Sequence, residues 1–277
     1  MRKLLLACAL AFSVATTSGC VQLIIGGLNI LQGLLPVSRD QEIAMGAAAA
    51  QQLLSSPQVR LYDNPQVLAY VQRVGMAMVR QSGRTDLPWR FYVVVAPEQN
   101  AFALPGGFVF ITTGALQAMS NEAELAGVLG HEVGHVAARH GVEQIRRALV
   151  ARGFLISTLG TSPQAAQIAG QIVAQIVLKG YGREAELEAD RLGARYAARA
   201  GYDPRQLEAF LQVLAKQGEP PGWLMPLETH PTIADRLQNL DRTIASQNLH
   251  GNELGQDSFR TAMAPLMGGG AGAVPAR

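Results

Sequence analysis

The sequence is short of cysteine. Cys8 and Cys20 are the only two in 277 residues, and Cys8 lies in a segment read below as removed. No intramolecular disulfide can then staple the fold, so a packed core must carry its stability. Charge is scarce too: 16% of residues are charged against 48% hydrophobic, too apolar for a disordered protein and too poorly charged for a coiled coil. Aromatics make up 6% and do not interleave with a basic stripe, which excludes nucleic acid as a partner. The formal charge of +2 vanishes once Arg2 and Lys3 are set aside with the same N-terminal segment. No internal repeat and no central Pro/Gly-rich linker divides the chain, which reads as one domain. A spanning helix needs roughly 20 apolar residues. Residues 21–35 fall short of that, being broken by Gln22, Gly26, Gly27, Asn29, Gln32 and Gly33.

What is present begins with Met1-Arg2-Lys3, an apolar run over residues 4–15 and the small residues Thr17-Ser18-Gly19 before Cys20, the order of an export signal. Gly19-Cys20 resembles a bacterial lipobox, although Thr17 stands where Leu is usual. The reading is a signal peptide over 1–19, lipidation of Cys20 and a tether over 20–37. Cleavage after Ala15, leaving Cys20 as a spare thiol, is the alternative.

Ser38 with Gln41 forms a capping box that opens a helix running to residue 54, and a second amphipathic helix is expected over 67–81. The β-branched and aromatic runs 91–96 and 108–112, the latter after Pro105-Gly106-Gly107, suggest a small antiparallel sheet. Further helices are expected over 121–141, with Asn121 as N-cap and Gly141 as the stop, and over 163–178, 184–200 and 204–216. The globular part spans 38–250, and the Gly- and Ala-rich tail over 251–277 is expected to be flexible.

His131-Glu132-Val133-Gly134-His135 falls within one of those helices. The i, i+4 spacing puts both imidazoles on one face, one turn apart, where two nitrogens can grip a single zinc. Glu132 flanks that face, where a general base must stand to take a proton from an attacking water. With only 5 His in the chain, a chance H-E-x-x-H is expected at about 0.4%, so the motif reads as chemistry.

A catalytic zinc wants three protein ligands and one open position, so the sequence must supply a third. Candidates are His140, His230, His250 and the cluster Glu184, Glu186, Glu188 and Asp190. His140 is five residues past His135 and points elsewhere on the helix circumference, which suits a helix-end hydrogen-bonding residue better than a ligand. Glu184, Glu188, Arg191 and Arg195 form a self-compensating stripe that reads as solvated. Glu186, Asp190, Gly193 and Ala197 form another, in which two carboxylates share a face with small residues. The motif helix has a matching surface in Gly127, Gly130, Gly134 and Ala138, and mid-helix glycines cost about 1 kcal/mol each relative to Ala unless close packing repays them. Glu186 is therefore the expected third ligand, with Asp190, one turn on, accepting from a ligand histidine or from the network of the zinc-bound water.

The segment Asn100-Ala101-Phe102-Ala103-Leu104-Pro105-Gly106-Gly107, then H-E-V-G-H, then Glu186-Leu187-Glu188-Ala189-Asp190, then His230-Pro231 with Arg236, resembles the zinc endopeptidase family that includes HtpX and the CAAX prenyl proteases. It is most similar to that family's bacterial periplasmic lipoprotein branch. The resemblance implies a predominantly helical α+β fold, a zincin-like metalloprotease domain with a small antiparallel sheet. It implies one Zn2+ per chain on His131, His135 and Glu186, Glu132 as catalytic base, and Asp190 and His230 as further active-site residues. His230 would stabilise an oxyanion or block the metal in a resting state. Asn100, Ala101, Phe102 and Ala103 would be an edge strand to which an extended substrate adds.

The chain departs from the family's membrane-embedded members, since it has no spanning helix beyond its signal, and fewer than forty residues follow Arg236 before the Gly-rich tail, too few for a docking repeat domain. The implied activity is zinc-dependent hydrolysis of peptide bonds in unfolded or misassembled cell-envelope proteins. The place is the periplasm, with a lipid anchor on Cys20 to the outer membrane, because Val21 is not the Asp linked to inner-membrane retention. A chaperone-like assembly factor with a latent zinc site is the alternative.

Overall fold

The computed structural model describes residues 37–153, 164, 168–173, 181–216 and 231–268. Cys20, the signal and nearly all of the tether lie outside them, as do His230 and most of the expected helix over 163–178, of which 168–173 are helical.

Helix α1 (Arg39–Leu54) starts at the capping box: Ser38 Oγ accepts from the Gln41 N–H and the Gln41 side chain accepts from the Ser38 N–H. Helix α2 (Pro65–Ser82) is capped by Asn64, begins with a proline whose missing N–H had no helical partner to lose, and ends at Gly83 with φ 72. Strands β1 (Arg90–Val94), β2 (Ala101–Leu104) and β3 (Phe108–Thr112) follow. They form one sheet in the order β1-β3-β2.

The sheet is mixed, which corrects the expectation of a purely antiparallel one: β2 pairs with β3 antiparallel, but β1 pairs with β3 in parallel. Only two strands stand out by composition, and β2 lies between them in sequence. Each connection reverses direction, so the two conspicuous runs point the same way. The β2–β3 turn uses Gly106 (φ 77) and Gly107 (φ 93), conformations that residues with a Cβ rarely adopt. The other connection, over 95–100, is tied down by Thr112 and Thr113, whose hydroxyls bond backbone groups of Ala96 and Asn100.

Every residue of β3 is buried, as befits a central strand covered on both faces. Phe91, Val93, Ala103, Val109 and Ile111 join the main core with α2 and the helices that follow. Leu104, Phe108 and Phe110 face the other way, onto Met45, Ala49 and Ala50 of α1. The strand period of two therefore sorts one sheet between two cores.

After the short helix α3 (Thr113–Ala118) comes α4 (Glu122–Ala137), capped as expected by Asn121. It ends at Ala137 and not at Gly141, because Arg139 adopts a left-handed φ of 61 and α5 (His140–Ala151) departs in a new direction. Long-range bonds hold that break: Arg139 Nη2 donates to Val37 O at 2.6 Å, and its Nε lies 3.2 Å from the buried Glu42 carboxylate. Among the described residues, the helical stretch 168–173 is followed by α6 (Arg183–Arg199), α7 (Gln206–Lys216), α8 (Ile233–Ser246) and α9 (Gln256–Met267).

Helices α4 and α6 pack closely enough that a Cβ on Gly193 would lie 2.8 Å from the His131 nitrogen, and one on Gly130 would lie 3.1 Å from Gly193 O. Gly134 meets Ala189 and Leu192 of α6, whereas Gly127 faces Leu207 of α7. The expected small-residue stripe is thus shared between two partners.

Helix α9 corrects the expectation of a flexible segment from residue 251. Phe259, Ala262, Met263 and Leu266 recur at helical spacing and are buried in the main core. Pro265 removes the N–H that would serve the Thr261 carbonyl, and Gln66 Nε2 donates to that carbonyl instead at 2.8 Å. The small and imino residues thus disguise an amphipathic helix whose one broken bond is repaired from α2.

Candidate metal centre and active site

The close approach of α4 and α6 brings three ligating groups together. His131 Nε2 lies 3.0 Å from His135 Nε2 and 3.3 Å from Glu186 Oε2, and His135 Nε2 lies 3.7 Å from Glu186 Oε1. All three residues are buried, and one ligating atom from each lies within 4.8 Å of the others. Two imidazole nitrogens and a carboxylate oxygen are the donor set of a three-ligand metal site. The residues present therefore fit a metal ion, and the carboxylate comes from the face of α6 that the small-residue stripe selected.

Behind His131 sits Asp190, wholly buried, with Oδ1 2.9 Å from His131 Nδ1. Arg236 on α8 clamps this carboxylate from two sides, Nε to Oδ2 at 2.9 Å and Nη2 to Oδ1 at 2.6 Å. Asp190 is held below the ordinary carboxylate range: burial opposes its charge, but the guanidinium outweighs burial. Burial likewise opposes protonation of His131, yet the Asp190 and Glu186 carboxylates raise it to about 9. Burial alone dominates at His135, which is driven well below the ordinary histidine value. Glu186 stays ionised despite burial because the neighbouring imidazoles hold it low.

Glu132 is buried beside this group and pushed up to about 7, chiefly by burial and further by the Glu186 charge, with His131 working against. The Ala103 backbone N–H donates to it, which ties it to β2. In antiparallel pairing alternate residues turn their backbone groups away from the partner. Asn100 O accepts from the Thr112 N–H, so the groups facing away from β3 belong to Ala101 and Ala103. Strand β2 is accordingly an edge whose outward backbone reaches Glu132. The Asn100 side-chain oxygen, beside it, is buried with no hydrogen-bond partner among the described residues.

A family model described as Peptidase family M48 matches residues 65–244, the stretch that contains all of these groups. The chain belongs to peptidase family M48. M48 peptidases are metal-dependent, and the buried His131, His135 and Glu186 are the group that can hold the ion here. Relatives include the beta-barrel assembly-enhancing protease of Yersinia pestis, 35% identical over 87% of this chain and 53% of that protein. The protein of the same name from Escherichia coli is 31% identical over 73% of this chain and 43% of its own length. The mitochondrial metalloendopeptidase OMA1 of Schizosaccharomyces pombe is 30% identical over 74% of this chain and 61% of its own. The chain spans about half the length of these curated relatives.

Three further residues close around the His131, His135 and Glu186 group. Arg236 was visible in the family pattern, but its target was not. His140 was expected to face away, yet its Nδ1 lies 2.9 Å from His135 Nδ1. Burial lowers its pKa, against the pull of Glu188. Tyr181 stacks on the His135 ring with centroids 4.0 Å apart, donates its hydroxyl to Ala103 O at 2.5 Å, and gives its backbone N–H to Glu186 Oε1 at 2.9 Å. No local pattern announces a tyrosine of this kind. The charged stripe on α6 also differs from its expected self-compensation: Glu188 approaches His140 at 3.4 Å, while Arg191 and Arg195 donate to Asn239 and Gln247.

Proposed function

We propose that this chain is a zinc-dependent metalloendopeptidase, one Zn2+ per chain, that cleaves unfolded or misassembled proteins of the cell envelope. The observation that carries the reading is the placement of Glu132, a buried carboxylate beside the His131, His135 and Glu186 group and bonded to the outward backbone of an edge strand. Zinc held by these three residues would supply an acidified water and a polarised scissile carbonyl. Glu132 takes the proton of the attacking water and returns it to the leaving amine, and the burial that raises its proton affinity suits a carboxyl that must both accept and release a proton. Asp190, clamped by Arg236, holds the His131 ring in place during these transfers.

An extended substrate adds along the segment Asn100, Ala101, Phe102 and Ala103 through the outward backbone groups of Ala101, those of Ala103 being engaged by Glu132 and Tyr181, and the unpartnered Asn100 oxygen offers it a further acceptor. Such a site reads backbone, which only an unfolded segment offers. The names of the Yersinia and Escherichia relatives, beta-barrel assembly-enhancing proteases, support envelope substrates. The export signal and Gly19-Cys20 support a periplasmic location with a lipid anchor on Cys20 to the outer membrane. His230, just ahead of α8 in sequence, is proposed to act at the open side of the metal.

The test compares the wild-type chain with Glu132→Gln, measuring zinc content and the degradation of one protein in folded and unfolded form. One zinc in both proteins, with cleavage only by the wild type and only of the unfolded form, is expected. Equal cleavage by the variant would remove Glu132 as base, and equal rates on the two substrate forms would overturn the substrate reading.

A further inference from the structure

The two histidines of the metal group are held from behind in unlike ways. Each turns Nε2 toward Glu186. A ligating nitrogen must offer its lone pair, so the proton of each neutral imidazole then sits on Nδ1 and needs an acceptor. For His131 the acceptor is Asp190 Oδ1 at 2.9 Å. For His135 it is a third imidazole, His140, whose Nδ1 is 2.9 Å away.

Two facing Nδ1 atoms cannot both donate, nor can both accept. Once His135 carries its proton on Nδ1, His140 must present a lone pair there and carry its own proton on Nε2. That nitrogen faces Glu188 Oε2 at 3.4 Å, an acceptor. The chain of donors therefore runs one way, from His135 through His140 to Glu188.

This contact is built by the break between α4 and α5. On an unbroken helix a residue five places on lies about 140° around the axis, out of reach of the His135 ring. The left-handed Arg139, pinned by Glu42 and the Val37 carbonyl, turns the chain and brings His140 back.

We propose that His140 is a positioning residue of the metal centre, which fixes the tautomer and ring orientation of His135 by accepting its Nδ1 proton, with Glu188 fixing His140 in turn. The proposal rests on the metallopeptidase reading above. Groups in this position typically change metal affinity 10–100-fold when lost.

The experiment measures zinc affinity of the full chain by competition with a chromophoric chelator, together with the Tm of the metal-free protein, for wild type, His140→Ala and His140→Asn. Asparagine places its side-chain oxygen where Nδ1 stood and can still accept. His140→Ala is expected to weaken zinc binding about 10–100-fold with little change in the metal-free Tm, and His140→Asn to recover most of that loss. Unchanged affinity in His140→Ala, equal loss in both variants, or a fall in affinity matched by a fall in metal-free Tm would overturn the proposal. A wild-type chain that binds no zinc would overturn the metallopeptidase reading itself, an outcome visible before any variant is made.

Discussion

Asp190 and Arg236 are both almost completely buried, at 0% and 3% exposed, and each is the other's principal charge partner. Removing two charges from water is costly, and only the bidentate geometry and the added bond to His131 offset it. Such a pair is sensitive to losing one member. Asp190→Asn keeps the volume and an acceptor for His131 but leaves the guanidinium without its carboxylate. It is expected to lower the unfolding free energy by about 3 kcal/mol, measured by urea denaturation of the metal-free chain. A change within experimental error would mean that Arg236 finds compensation from Glu186 and Glu132 alone. At this scale the sequence was informative about residue types and uninformative about pairs. The i, i+4 histidines share a face by helix geometry wherever the helix lies, whereas Arg236 finds Asp190 only because α8 crosses α6.

Elements were legible where their ends carry side-chain signals. Ser38 with Gln41, Asn121 and the Pro105-Gly106-Gly107 turn stand where they were read, since capping and left-handed turns are local chemistry. The end of α4 was misplaced because Ala138 and Arg139 carry no such signal and the break is held by Glu42 and Val37, about a hundred residues away. Helix α9 was hidden by composition, although its apolar residues keep the helical period. It is also open to a direct test. Phe259 is buried and meets Tyr70 edge to face with ring centroids 6.3 Å apart. Phe259→Ala is expected to destabilise the chain by roughly 3–4 kcal/mol in chemical denaturation, whereas a residue in a flexible tail would change nothing.

Across the whole molecule one carboxylate ties the distal end of the motif helix to three other parts of the chain. Glu122, in the first turn of α4, accepts from Arg73 Nη1 and Nη2 at 2.9 and 2.8 Å and from the hydroxyls of Tyr70, Tyr202 and Ser258. Those residues come from α2, the segment after α6, and α9. Burial works against its ionisation, but these donors hold it at about 2, below the ordinary 4.5. A depressed carboxylate contributes stability that is fully present above its ordinary value and lost as pH falls toward the folded one. Glu122→Gln is therefore expected to have a lower Tm than wild type at pH 7, with the difference shrinking between pH 4.5 and about 2. Glu124 and Glu208, raised by burial, contribute with the opposite sign and cancel in the comparison. A Tm difference that is constant across that window would assign Glu122 a packing role only.

The sequence by itself determined the chemistry and most of the elements: two histidines one helical turn apart, a carboxylate beside them, a second helix whose small-residue face carries Glu186 and Asp190, and the caps at Ser38 and Asn121 that start two helices. These follow from periodicities and caps that span a few residues, and a chain obeys them whatever it packs against. Only the tertiary structure decided which way β1 runs beside β3, that Arg139 breaks the motif helix, and that His140, Tyr181 and Arg236 close around the His131, His135 and Glu186 group. Each of those depends on groups distant in sequence meeting at a helix crossing or a sheet edge, where position is set by the packing of the whole core and no local pattern records it.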